Sequence, residues 1–346
     1  MRALITGGSG YLGQLLIAGL VERGFDCIAV DIRDGAPVGP GSTLLRGDAA
    51  DTTVLERAAG DGKIDVVYHL ASQIDFAVHS QTDLYDNNVG TTRAVAEFAK
   101  SRKIPKVVFT SSNSVYLGNK LRRPVLESDA PEPVDEYGRS KVDSEKLLAT
   151  YSSDFDSISI RCPNIMDSGR LGMLSVFFDF ILEGRKCWVL GRGDVRHQCI
   201  YAQDLIDACV KAITLRRTDV FNIGSDDVPT IREMYQSVID KAGTGARVAS
   251  VPGAIAIPVL KAAHRLGLSP IGEYQFRMLT MDFTFDTAKI KREMHWAPTL
   301  NNSQMLLKAF EHYRAHRAEI LADSDLSANR SAVTKLGLIG VVKMLS

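Results

Sequence analysis

A phenol and an ammonium stand four residues apart at Tyr137 and Lys141, and upstream two hydroxyls, Ser111 and Ser112, close an apolar run. On a helix, residues four apart project from one face. A lysine charge beside a tyrosine stabilises the phenolate and lowers its pKa toward neutrality. Such a tyrosine can exchange a proton with a substrate hydroxyl or carbonyl while a hydride leaves or joins the same carbon. Ser112 is placed to hold that oxygen, with Asn113 beside it as a further substrate contact. Tyr and Lys at this spacing recur by chance in many chains, so their weight depends on the elements that position them.

Those elements begin at the first residues. Arg2-Ala3-Leu4-Ile5-Thr6 is a short β-capable run, followed at once by Gly7-Gly8-Ser9-Gly10-Tyr11-Leu12-Gly13 and a helical pattern from Gln14 to Arg23. Strand, glycine turn and helix in this order are the context in which glycines mean dinucleotide binding. Gly7 allows the sharp turn, Gly10 the approach of a pyrophosphate, and Gly13 close packing of helix on strand. The N-terminus of that helix faces the phosphates, with Tyr11 and Leu12 of the turn as further cofactor contacts. The competing reading is a tight turn with no ligand. Cys27 to Asp31 is a second strand ending in a carboxylate eighteen residues after Gly13, about where an acid accepts the ribose hydroxyls of NAD. A phosphate on that ribose is repelled by Asp31, which favours NAD, while Arg33 leaves NADP open. Lys141 is then placed to bond the nicotinamide ribose as well.

Thr43 to Asp48 reads as a third strand with Asp48 set to meet an adenine amino group, and Asp51 caps the next helix. Asp65 to Ala71 is a nearly all-apolar fourth strand, in which His69 reads as a satisfied core histidine. A helix spans Leu84 to Arg102, Lys106 to Ser112 is the fifth strand, and the helix Asp135 to Tyr151 follows a polar loop. This alternation predicts an α/β fold: a Rossmann-type doubly wound parallel sheet, ligands at the carboxyl ends of its strands, and a smaller C-terminal substrate lobe. The expected division is a cofactor core over 1–160, a substrate lobe over 161–320 interleaved with the last core strands, and a linker and short apolar tail over 321–346.

Bulk properties exclude other classes. The 346 residues carry 41 basic and 41 acidic side chains, so no general attraction to nucleic acid arises. Five cysteines without a Cys-x-x-Cys spacing read as buried thiols in a reducing compartment. His312 and His316 lie four apart without a third ligand nearby, so no metal site is expected. With a first strand starting at Arg2 and no run long enough to span a bilayer, the expected location is the cytoplasm.

The chain resembles the extended short-chain dehydrogenase/reductases of the NAD-dependent epimerase/dehydratase group. The resemblance rests on the glycine turn, Asp31, Gly47-Asp48, His69-Leu70-Ala71, Asn88-Val89, Ser111-Ser112, Tyr137-Gly138-Arg139-Ser140-Lys141 and Arg161-x-Pro163-Asn164. It continues through Tyr201-x-x-Asp204, Phe221 to Gly224, Phe285 to Lys289 and Trp296-x-Pro298. It implies Tyr137 as acid/base, Lys141 as its partner and Ser112 as the third member. It implies an NAD site completed by Asn88, the backbone at Leu70-Ala71, and Pro163. It also implies a homodimer through the helices Leu84–Arg102 and Asp135–Tyr151. Family members that eliminate water carry an Asp-Glu pair after the fifth-strand hydroxyl. This chain has Asn113-Ser114, neither of which exchanges protons near neutral pH.

The second half leaves the substrate open. An arginine similar to Arg196 grips the diphosphate in sugar-nucleotide members, and a surface arginine on a turn is the equal alternative. Asn164 is open between a substrate phosphate and a strand cap. The segment Tyr274 to Phe283 has one arginine amid large apolar groups, and Val251 to Leu260 is apolar with a basic flank. The first departs from the sugar-nucleotide pattern, and the second resembles the lobe of hydroxysteroid-dehydrogenase-like members, with ordinary lobe core as its alternative. The expectation is hydride transfer at a secondary alcohol or ketone of a bulky, lipid-like small molecule. The alternatives are a nucleotide-sugar 4-epimerase and a non-catalytic nucleotide-binding subunit. The tail Lys335 to Leu345 is apolar between lysines; docking on a partner subunit is its expected use, with weak contact with a membrane surface or covering the lobe as the alternatives.

Overall fold

The run Arg2–Thr6 forms β1, an interior strand of a seven-stranded sheet, and four of its five residues are buried. Strand by strand the sheet adds β2 (Asp26–Asp31), β3 (Ser42–Arg46), β4 (Val66–His69), β5 (Lys106–Ser112), β6 (Asp156–Cys162) and β10 (Asp219–Asn222). Their spatial order is β10-β6-β5-β4-β1-β2-β3, and every pairing is parallel. The computed structural model describes residues 1–35, 39–73, 81–118, 123–169, 174–265, 278 and 280–322. The segment 266–277 and the linker and tail from residue 323 lie outside the described residues.

A parallel sheet must be covered on both faces. One face receives α1 (Tyr11–Glu22) and α6 (Ala202–Ala212), whose Leu16, Ile17, Leu20, Leu205 and Ile206 bury on β1 and its neighbours. The other receives α2 (Thr52–Ala59), α3 (Gln81–Ser101) and α4 (Glu136–Ala149), with Val54, Leu55, Val95, Phe98 and Leu148 in one cluster. Asp51 caps α2 through its side chain, as expected, and Asp135 caps α4.

The sixth strand differs from the sequence expectation. β6 stops at Cys162 because Pro163 has no N–H for the ladder. Asn164–Met166 then forms β7 and pairs with β9 (Cys199–Tyr201) away from the main sheet. A third apolar cluster unites α5 (Leu174–Leu182), α7 (Ile231–Ala242) and α10 (Asn302–Ala322) through Phe178, Val238, Phe310 and Tyr313. Beside it, β8 (Lys186–Leu190) pairs with β11 (Arg247–Val251). The apolar segment after Val251 is a helix, α8 (Gly253–Arg265), with Ile255 and Val259 63% and 57% exposed. At those two positions it is not lobe core. A short α9 (Ala288–Met294) precedes the buried Trp296. Among the described residues no helix is long and apolar enough to cross a membrane.

Candidate active site

The carboxyl ends of β1, β2, β4, β5 and β6 converge on one edge of the sheet. At the end of β1, Gly7 has φ +76°, and a Cβ there would lie 2.8 Å from the Ala71 nitrogen. A Cβ on Gly13 would lie 2.3 Å from the Gly7 carbonyl oxygen, so α1 can approach the turn only without a side chain. Gly8 is as constrained: a Cβ there would lie 2.4 Å from the Ala29 Cβ on β2, a need that no spacing rule announces. Helix α1 starts at Gly10 with no side-chain cap and no acid in its first turn. Its first amides have no acceptor within the helix, which suits an anion.

Asp31 is buried at the end of β2. Its carboxylate accepts the Ser9 amide and the Arg33 amide, both at 3.0 Å, and the Arg33 guanidinium stands 3.5 Å away. Two amides leave carboxylate lone pairs for ribose hydroxyls. Asp48 is exposed and accepts the Ala50 amide at 2.9 Å. The Tyr11 hydroxyl donates to the Ser168 carbonyl at 3.2 Å, tying the glycine turn to the loop after β7, while Leu12 packs with the α1 core face. Leu70 and Ala71 hold their course after β4 through amide bonds to the Thr6 carbonyl and hydroxyl. Asn88 serves the same loop from α3: it accepts the Gln73 amide at 2.8 Å and donates to the Gln73 carbonyl and the Ser140 hydroxyl. Its side chain is spent on positioning. Pro163 is buried next to the end of β6.

His69 is the satisfied core histidine expected. Thr6 and Thr92 bond its two ring nitrogens at 2.8 and 3.0 Å, and its ring stacks on Phe109. The Thr92 hydroxyl donates to the Asn88 carbonyl, so His69 Nε2 donates to Thr92 and Thr6 donates to Nδ1. Burial, and secondarily the nearby Lys141 charge, push its pKa down to about 3.

The residues expected to react lie over β5. Ser112, 9% exposed, accepts the Ser114 amide at 3.2 Å and its hydroxyl faces the Asn113 amide oxygen at 3.3 Å. Asn113 is buried with its Nδ2 4.0 Å from Met278 Sδ. Tyr137, half-buried, is on the first turn of α4, which presses on the turn after Ser112: a Cβ on Gly138 would sit 2.7 Å from the Ser114 carbonyl oxygen. Lys141 is buried and donates to the Thr110 carbonyl at 3.0 Å, two residues before Ser112. Its ammonium lies 5.5 Å from the Tyr137 ring centre and 4.7 Å from that of Phe109. Burial lowers its pKa to about 8, with Cys162 and Glu145 opposing the shift. A cation is thus held against a phenol by strand and helix together.

Residues 3–224 match the profile of the family described as the NAD dependent epimerase/dehydratase family. The chain belongs to that family. The uncharacterized protein y4nG of Sinorhizobium fredii is 33% identical over 321 residues, covering 92% of this chain and 80% of its own. The 3 beta-hydroxysteroid dehydrogenase/Delta 5-->4-isomerase of Mycobacterium tuberculosis is 27% identical over 338 residues, covering 90% of each chain. UDP-glucose 4-epimerase of Thermotoga maritima, solved with UDP-glucose, superposes with a TM-score of 0.76 at 20% identity, covering 92% of this chain and 100% of that one. Family membership makes the protein an enzyme with NAD as its cofactor, and the uncapped helix, the tight glycines and the held Asp31 fit that cofactor.

The expected substrate contacts are dispersed. Asn164 is exposed at the start of β7. Arg196 is half-exposed; its guanidinium donates to the Val228 carbonyl at 2.6 Å and stands 3.9 Å from Glu233. The His312 and His316 rings lie tilted against each other on α10, 4.5 Å between centres, and no group of three or more His, Cys, Asp or Glu among the described residues could hold a metal ion. Four of the five cysteines are buried and Cys162 is partly so.

Proposed function

We propose that the enzyme transfers a hydride between NAD and a secondary alcohol or ketone carbon of a bulky, apolar small molecule. The observation that carries this reading is Lys141, buried, bonded to the strand that ends in Ser112, and aligned with Tyr137 on one face of α4. Bound NAD supplies the hydride acceptor or donor. Ser112 donates a hydrogen bond to the substrate oxygen, and Tyr137 takes its proton in oxidation or returns it in reduction. Lys141 stabilises the phenolate through its charge. Gly7, Gly10, Gly13 and Asp31 receive the cofactor.

An apolar substrate is favoured by what descends on the Ser112 turn. Met278, Phe283 and Phe285 bury there against Val115, Tyr116 and Leu117, and Arg196 is occupied by a carbonyl. The 3 beta-hydroxysteroid dehydrogenase/isomerase, which matches this chain over nearly its whole length, supports the same class. A second reading, nucleotide-sugar 4-epimerase, draws on the fold of the UDP-glucose enzyme and on an Arg196 exposed enough to turn toward a diphosphate. In either case the enzyme works in the cytoplasm as a homodimer through α3 and α4.

The test joins a substitution with a cofactor assay. Tyr137→Phe should lower turnover by about 100-fold or more; undiminished turnover refutes the assignment. Protein denatured as purified should release little nucleotide and should bind NAD reversibly. NAD retained at one per chain moves the choice to the epimerase.

A further inference from the structure

One buried charge pair is used by nothing described so far. We infer that Glu145 and Arg161 are positioning residues of this site, locking the Ser112 end of β5 and the turn after it to the Tyr137–Lys141 face of α4. The inference rests on the proposed roles of those three residues.

Glu145 follows Lys141 by four residues, as Lys141 follows Tyr137, so the three share one helix face. Its carboxylate accepts the Ser111 hydroxyl at 2.5 Å and Arg161 Nε and Nη2 at 2.9 and 2.5 Å. Arg161 lies opposite Ser111 in the β5–β6 ladder, and its Nη1 bonds the Tyr116 hydroxyl. That hydroxyl in turn donates to the Leu126 carbonyl at 3.1 Å. Ser111 immediately precedes Ser112, and Tyr116 ends the single 3-10 turn Asn113–Tyr116 that follows it. The pair therefore grips Ser112 from both sides and joins it to the helix one turn beyond Lys141.

The side chains of Glu145 and Arg161 are only 6% and 5% exposed. Burying two charges is costly, and apolar residues of similar volume often stabilise a fold as well or better. A fold has little need of such a pair for stability, whereas three donors on one carboxylate fix a geometry. A misplacement of about 1 Å in such a constellation can cost about 100-fold in rate. The ionisable groups facing the pair and Lys141 are Tyr116, Glu127, Cys162, His69 and Tyr137.

The test uses the full chain. In Glu145→Leu/Arg161→Met both charges go together and the fold is kept. Its kcat should fall about tenfold or more, with NADH binding by fluorescence within about threefold of the parent and an equal or higher melting temperature. Parental kcat overturns the inference. So does loss of NADH binding together with a lowered melting temperature, which marks a merely structural pair. A second readout needs no turnover. In Glu145→Gln, which leaves Arg161 uncompensated, the Lys141 titration followed by NMR of labelled lysine should move acidward by about one pH unit. An unmoved titration means that the carboxylate does not face this lysine. If the parent shows no Tyr137-dependent turnover, the proposed function fails and the lysine titration still decides the inference.

Discussion

Lys141→Met should make the protein more stable while destroying its activity, and the gain should shrink as pH rises. Burial holds the folded-state pKa of Lys141 at about 8, against 10.5 for an ordinary lysine. Each unit is worth about 1.4 kcal/mol, so charging this lysine at neutral pH costs the fold about 3 kcal/mol. The sign follows from proton counting. Between pH 8 and 10.5 the unfolded chain binds more protons at this site than the folded one, so the parent gains stability as pH rises through that window. Methionine keeps the length and apolar bulk without the charge. It forfeits the bond to the Thr110 carbonyl, worth about 1 kcal/mol, which leaves a net gain of about 2 kcal/mol at pH 7. By pH 9 the electrostatic part has fallen to about 2 kcal/mol, so the gap between variant and parent narrows by about 1 kcal/mol. Urea denaturation of both proteins at pH 7, 8 and 9 reads this directly, because every other titrating group cancels in the difference. A gap that stays constant or widens with pH refutes the reasoning.

Other consequences are as direct. His69 has its folded pKa near 3, so the unfolded chain binds the extra proton between pH 6.5 and 3 and stability is lost as pH falls through that window. By pH 3 the loss is about 4 kcal/mol, and His69→Asn should remove this part of the acid sensitivity in denaturation curves. Gly8→Ala should cripple NADH binding because its methyl meets the Ala29 Cβ at 2.4 Å, and Ala29→Gly in the same chain should restore it. Failure of the second change to rescue would put the clash elsewhere. Asp31→Asn should weaken NADH about tenfold and narrow the preference over NADPH, measured by fluorescence titration; an unchanged ratio would mean that Arg33 sets the choice.

What the sequence made legible is what a single element can encode. Glycine spacing in a strand–turn–helix, a carboxylate at a strand end, and a Tyr-Lys pair at helical spacing are each local, and each lies on the predicted element. What it concealed depends on contacts across elements. Gly8 is required by an alanine on β2. Asn88, expected at the cofactor, is consumed in holding the Gln73 peptide from another helix. Arg161 looked like part of a strand-end motif, and its partner Glu145 sits on α4 sixteen residues earlier. The signal for that pair was present in Lys141-x-x-x-Glu145, which repeats the Tyr137-x-x-x-Lys141 spacing. The path of Pro163-Asn164 was misjudged because proline's missing N–H ends one sheet while the next residue starts another.

The same geography separates chemistry from specificity. Around Ser112 the side chains that a water-eliminating enzyme would ionise are a buried amide and a buried hydroxyl, Asn113 and Ser114. In the proposed mechanism proton movement at the substrate oxygen falls to Tyr137, with Lys141 behind it. Net oxidation or reduction and epimerisation both draw on that proposed trio, so no substitution within it distinguishes them. The distinction belongs to the lobe, where Met278 and Phe283 meet the Ser112 turn and Arg196 is held at the Val228 carbonyl. An apolar substrate makes no demand on the Arg196 guanidinium. A nucleotide sugar needs it to leave that carbonyl, so removing the guanidinium spares the first activity and abolishes the second.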